Sequence, residues 1–183
     1  MSKTDDEAIA KEARRLYSTM FGKLLDETDE TPSKICDRLY LGSAADARNF
    51  DKLQRLNIKY ILNMTGSTSN SPDYSHITLL TLDAHDLDDY DLSVHFPVTF
   101  DFIQKSLKAQ NGSVLVHCAA GVSRSAAIVA AYLMINNQIS ASDAVLQVHQ
   151  ARPCVCPNLG FLRQLLYYEK QNFVVFEGDF NKI

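Results

Sequence analysis

Ser113-Val-Leu-Val-His-Cys-Ala-Ala-Gly-Val-Ser-Arg-Ser125 and its continuation Ala126-Ala-Ile-Val-Ala-Ala-Tyr-Leu-Met-Ile135 form the stretch on which the fold turns. Its opening residues are a short apolar run of the kind a buried strand uses, and residues 125–136 are apolar nearly all round, as a buried helix is. A strand passing through a tight turn into a buried helix is the unit from which α/β sheets are assembled. The first amides of a helix lack intrahelical partners and the helix dipole is positive there, so this turn is also a seat for an anion.

Outward from that unit, strands and helices go on alternating. Upstream, residues 38–41, 59–64 and 77–82 read as strands, with helices near 44–56 and at 96–108. Residues 66–75 are rich in Ser and Asn and contain Pro72, and read as a loop. Downstream, Ser140 caps a helix with Asp143 at N3 and a stripe of Ala141, Ala144, Val145 and Val148, and a last helix runs over 158–170 through Leu162, Leu165 and Leu166. This order predicts an α/β protein with a compact, partly parallel central sheet flanked by helices. Near the N-terminus, Ala13, Leu16, Tyr17, Met20, Phe21 and Leu24 keep helical spacing over 4–25, with Thr4 and Glu7 as a capping box. A polar segment, 26–33, follows and marks that helix as an appendage. The expected organisation is a helical extension (1–33), an α/β domain (34–171) that the resemblance given below makes the catalytic one, and a tail (172–183).

At 183 residues, 46% apolar and 22% charged, the chain suits one globular domain that holds its own core. A net charge of −4 gives no general attraction to nucleic acid or an anionic membrane, so any affinity for phosphate must be local. The longest apolar run, 126–135, is about half of the ~20 residues a membrane span needs. The acidic start, without a basic and then apolar stretch, leads us to expect a cytosolic or nuclear chain. Cys36, Cys118, Cys154 and Cys156 form no C-x-x-C pair and read as reduced thiols rather than a disulfide framework or zinc site.

Within the turn, Cys118 stands at the strand end, where amides and nearby positive charge favour a nucleophilic, solvent-open thiolate. Arg124 can place a planar fork on two oxygens of a phosphate held by the same turn. An arginine suits the first turn of a helix poorly unless an anion is there to pair with it. Gly121 lets the backbone turn its amide inward, and Ala119 and Ala120 let the turn curl tightly.

His-Cys-x-x-Gly-x-Ser-Arg-Ser over 117–125, with its Cys-x5-Arg core, resembles the signature of the cysteine-dependent protein tyrosine phosphatase superfamily, in the wording of its dual-specificity branch. Leu39-Tyr-Leu-Gly-Ser-Ala44, Ile61-Leu-Asn-Met64, Ala131-Tyr-Leu-Met134, Arg152-Pro and Pro157-Asn-Leu-Gly-Phe161 look like landmarks of the same branch. The resemblance implies hydrolysis of phosphotyrosine and phosphothreonine or phosphoserine through a cysteinyl-phosphate, without metal or other cofactor. Cys118 would be the nucleophile. Ala119, Ala120, Gly121, Val122, Ser123 and Arg124 would hold the phosphate, with His117 and Asn158 supporting the loop.

The family's general acid is an aspartate about thirty residues upstream of the cysteine. Asp86 stands 32 residues before Cys118, with Asp83 as the runner-up. Ser125 would donate to the cysteine sulfur in the hydrolytic step. Asp88, Asp89 and Asp91 read as a solvated acidic loop, and His76, His85, His95 and His149 show no ligand spacing. The implied partner is a phosphorylated protein, a signalling kinase among the candidates. Tyrosine-specific members carry a recognition loop that has no counterpart between residues 34 and 118. The competing readings are a catalytically weak phosphate-binding scaffold, a phosphatase for lipid, glucan or RNA phosphates, and a redox protein using Cys154 and Cys156.

Overall fold

The computed structural model of the protein describes residues 3–21, 32–67 and 76–172. The expectations for residues 22–25 of the first helix, for the polar segment 26–31, for most of the Ser- and Asn-rich loop and for the tail from 173 onward lie outside those residues. The elements run α1 (Lys3–Phe21), β1 (Ser33–Cys36), β2 (Leu39–Ser43), α2 (Ala44–Arg48), α3 (Phe50–Arg55), β3 (Ile58–Asn63), β4 (Thr78–Thr81), a 3₁₀ turn (Ser93–His95), α4 (Phe96–Lys108), β5 (Ser113–Cys118), α5 (Arg124–Asn137), α6 (Ala141–Ala151) and α7 (Leu159–Asn172).

The strands form one sheet in the order β1-β2-β5-β3-β4. β5 pairs in parallel with β2 and β3, β4 pairs in parallel with β3, and only β1 runs antiparallel. The α/β architecture with a partly parallel sheet is therefore as the sequence predicts. Every residue of β5 is buried, as a central parallel strand covered on both faces must be. The following helix α5 has an unbroken buried run from Ser125 to Met134 and forms the middle of the core.

Three local expectations are corrected. The structure adds β1 ahead of the strand expected at 38–41: the turn joining it to β2 is Asp37-Arg38, with Arg38 at φ 57°, so residue 38 belongs to the turn and not to the strand. A hairpin turn without glycine or Asn-Gly leaves little trace in a sequence. The single helix expected at 44–56 is two, because the Asn49 side chain accepts from Lys52 N and starts a new helix where α2 ends. Thr4 lies inside α1, which already begins at Lys3.

The larger correction concerns α1, which is no appendage. Ile9, Ala13, Leu16 and Met20 are buried and join the same core cluster as β5 and α5. Burying the three larger side chains stabilises the fold by roughly 5–9 kcal/mol before entropy is counted, comparable to the whole net stability of a typical domain. At its edge α1 is tied to α7 and α6 by Asp5–Lys170 (3.0 Å), Tyr167 Oη donating to Asp6 (2.9 Å) and Ser142 Oγ donating to Glu12 (2.7 Å). No helix among the described residues is long and apolar enough to cross a membrane.

Candidate active site

The loop from Cys118 to Arg124 is built by its neighbours in the sheet. In register, Ser43 of β2 stands opposite Cys118 and Asn63 of β3 opposite His117, so both flanking strands end where the loop begins. Ser43 then caps α2 in a full capping box with Asp46, which directs the Ala44 amide at the loop. The loop carbonyls are taken one after another from outside. His117 O accepts from Met64 N (2.9 Å), Ala119 O from Ala44 N (3.0 Å), Gly121 O from the Arg152 Nε (3.1 Å) and Val122 O from Cys156 N (2.9 Å). With the carbonyls drawn outward, the amides of residues 119–124 donate to no acceptor among the described residues. A run of unpaired amides ahead of a helix is an anion-binding concavity. Gly121, at φ 71°, is the hinge: a Cβ there would stand 2.5 Å from the Gly42 carbonyl oxygen.

Cys118 lies on the floor of this loop and is 1% exposed, which corrects the expectation of a solvent-open thiolate: its Cβ belongs to a strand buried along its whole length. Ser125 Oγ, also buried, donates to its sulfur at 3.1 Å. Arg124 Nη1 donates to Ala84 O (2.9 Å) and Met64 O (3.3 Å), which fixes the guanidinium plane, while its buried Nε has no hydrogen-bond partner among the described residues. Across from it, Asp86 Oδ2 stands 3.7 Å from that Nε. Asp86 Oδ1 accepts from Ser123 Oγ (2.6 Å) and Asn158 Nδ2 (2.9 Å).

The structure thus brings together Cys118, Ser125, Arg124, Ser123, Asp86 and Asn158. It does not bring Asp83 in: that carboxyl packs over Gly66, at an isolated bridge between Thr65 and Asp83. Asp88, Asp89 and Asp91 are exposed, as expected of a solvated loop. Beside its bond to Asp86, Asn158 caps the start of α7, its Oδ1 accepting from Phe161 N (2.9 Å).

Arg152 is the residue that motif reasoning passed over. It is 2% exposed and bridges the Gly121 carbonyl to Ser33 Oγ on β1 (3.2 Å). Only the Arg-Pro pair hinted at it.

His117 is 5% exposed, and its Nδ1 donates to the Cys118 carbonyl at 3.3 Å, the carbonyl being able only to accept. Burial pushes its pKa below the ordinary 6.5, and burial does the same to His95, partly offset by Asp91. Between the lowered value and 6.5 the unfolded chain binds more protons than the folded one. The stability that neutral imidazoles confer is therefore complete above about pH 6.5 and is lost as the pH falls. We expect a lower thermal midpoint at pH 5.5 than at pH 7.5, and a smaller difference in His117→Gln; equal midpoints for the unaltered protein would refute this.

Comparison with known proteins agrees with the geometry. Residues 39–171 match the model of the dual specificity phosphatase catalytic domain. Human dual specificity protein phosphatase 26 is 41% identical over 137 residues, which are 73% of this chain and 64% of that protein. The chain thus spans less than two thirds of the length of that relative. Among crystal structures, human DUSP28 superposes with a TM-score of 0.71 at 32% identity, covering 76% of this chain and 93% of that one. A human tyrosine phosphatase-like serine/threonine/tyrosine-interacting protein superposes with a TM-score of 0.72 at 33% identity, covering 78% and 97%. With the family model matched over residues 39–171 and a relative 41% identical over 73% of the chain, the chain belongs to the dual specificity phosphatase catalytic-domain family.

Proposed function

We propose that this protein hydrolyses phosphate monoesters on tyrosine, threonine and, more weakly, serine side chains of proteins. The observation that carries the reading is the pairing of a loop of unpaired amides around Cys118 with Asp86 placed across Arg124. In the first step the Cys118 thiolate forms a bond to phosphorus as the ester P–O bond breaks. The loop amides and the Arg124 Nε are aimed at the phosphoryl oxygens, where fixed donors stabilise charge most. The leaving oxygen takes its proton from Asp86. In the second step water attacks phosphorus, gives its proton to the Asp86 carboxylate, and the sulfur departs with Ser125 Oγ donating to it. Every step uses this chain's own side chains, and the reading invokes no cofactor.

A phosphorylated protein, with signalling kinases among the candidates, is the partner this chemistry calls for, and a cytosolic or nuclear setting goes with a thiol that works only when reduced. The rim near Asp86 carries the exposed Leu87 and the acidic Asp88 and Asp89, which disfavours a polyanionic headgroup. On matched peptides we expect the largest kcat/KM for phosphotyrosine, measurable turnover of phosphothreonine, less of phosphoserine and little of phosphoinositides. Turnover of phosphotyrosine alone, or preference for a lipid phosphate, would overturn this substrate class while leaving the Cys118 chemistry intact.

A further inference from the structure

From Asp83 to Leu92 the chain has no regular secondary structure, yet it is held along its whole length. Tyr90 Oη donates to the Asp83 carbonyl at 3.0 Å and closes the segment on itself, while His95 Nε2 lies 2.8 Å from the same hydroxyl. In the middle, Gly160 of α7 lies so close to the Asp88 carbonyl that a Cβ would overlap it. At the end, Gln164, one turn further along α7, makes three bonds at once. Its Nε2 donates to Tyr90 O (2.8 Å), and its Oε1 accepts from Leu92 N (2.8 Å) and Ser93 N (3.1 Å).

Those bonds are side chain to backbone, and they join a helix to the one segment that carries Asp86. A primary amide is the only neutral side-chain group with two donors and a carbonyl acceptor in one plane, so it can hold both a carbonyl and amides of an irregular stretch of backbone at once. Leu92 is fully buried and its amide also donates to Tyr90 O (3.0 Å), as the Ser93 amide also donates to Asp91 Oδ1 (3.1 Å), so Gln164 is what ties these groups to α7 rather than to one another.

We propose that Gln164 is a positioning residue for proton transfer: it anchors the acid-bearing segment to α7 and so sets where the Asp86 carboxyl stands relative to the leaving oxygen. The proposal rests on the phosphatase reading. Gln164 touches neither Cys118 nor the phosphate seat. Its loss therefore acts on leaving-group protonation and spares phosphate binding. A displacement of about 1 Å at a catalytic group can cost on the order of 10²-fold, and the cost is felt most where the leaving oxygen most needs a proton.

The test compares the unaltered protein with Gln164→Ala and Gln164→Glu on aryl phosphates whose leaving phenols range from nitrophenol to phenol. For Gln164→Ala we expect KM to stay within about twofold and kcat to fall only a few-fold with nitrophenyl phosphate but on the order of 10–100-fold with phenyl phosphate. Gln164→Glu, which keeps the acceptor for Leu92 N and Ser93 N and loses the donor to Tyr90 O, should fall between the two. Hydrogen exchange should quicken at the amides of residues 84–93 in Gln164→Ala, with β5 and α5 unchanged. A loss equal across all leaving groups, or unchanged exchange in the segment, would overturn the proposal alone. An unaltered protein that turns over none of these esters would overturn the phosphatase reading and this proposal with it.

Discussion

Cys118→Ser abolishes turnover, with kcat falling by on the order of 10⁵–10⁶-fold, the scale seen when a covalent nucleophile is removed from an otherwise intact site. A serine hydroxyl is far less acidic than a thiol, and neither neighbour of position 118 is arranged to take its proton: Ser125 Oγ donates toward that position, and His117 Nδ1 donates to a backbone carbonyl. The phosphate seat itself is untouched, because it consists of main-chain amides and Arg124. Binding of inorganic phosphate or vanadate should therefore survive in the variant, measured by calorimetry beside phosphate release from a saturating aryl ester. The position is 1% exposed, so Cys118→Ala serves as a second variant with no hydroxyl to satisfy. Residual turnover within tenfold of the unaltered protein in either variant would remove Cys118 from the mechanism.

Asp86→Asn lowers kcat by on the order of 10²–10⁴-fold, the usual worth of a positioned general acid, with KM little changed. The substitution leaves an oxygen able to accept from Ser123 Oγ and Asn158 Nδ2, so the segment keeps its place while the proton is lost. The deficit should widen as the leaving phenol becomes less acidic. Asp83→Asn is the matched control: its carboxyl lies over Gly66, and the change should leave kcat within a few-fold. The reverse ranking would move the acid to Asp83.

How far the sequence revealed this site follows from distance along the chain. Cys118, Arg124 and Ser125 were legible because strand, loop and helix follow one another without interruption, and local amide geometry gives the residues their meaning. Asp86 was reachable through its spacing from Cys118, but spacing could not separate it from Asp83, three residues away on a stretch with no helical or strand period to orient it. Gln164 leaves no trace in the sequence and Arg152 is marked only by its Arg-Pro pair, since their contacts span 74 and 31 residues and depend on how α6 and α7 settle against the sheet. For α1 the apolar stripe announced a buried face. It could not say that the face would be buried against this domain's own core.

That last packing has a consequence for how the molecule is made. Within this domain α1 is made before the sheet and the other helices, yet the groups it meets on α7 are 161 and 165 residues downstream. While the rest is being synthesised, Ile9, Leu16 and Met20 wait without their native neighbours, the kind of exposed apolar surface that chaperones shield. Bringing such distant segments together comes late in folding, because the loop-closure entropy must be met before the contact returns anything. A nascent chain stalled before α7 lacks a seat for α1 and, with Asn158, Gly160 and Gln164 still unmade or unfolded, lacks a hold on Asp86, so catalytic competence arrives only when α1 and α7 have met.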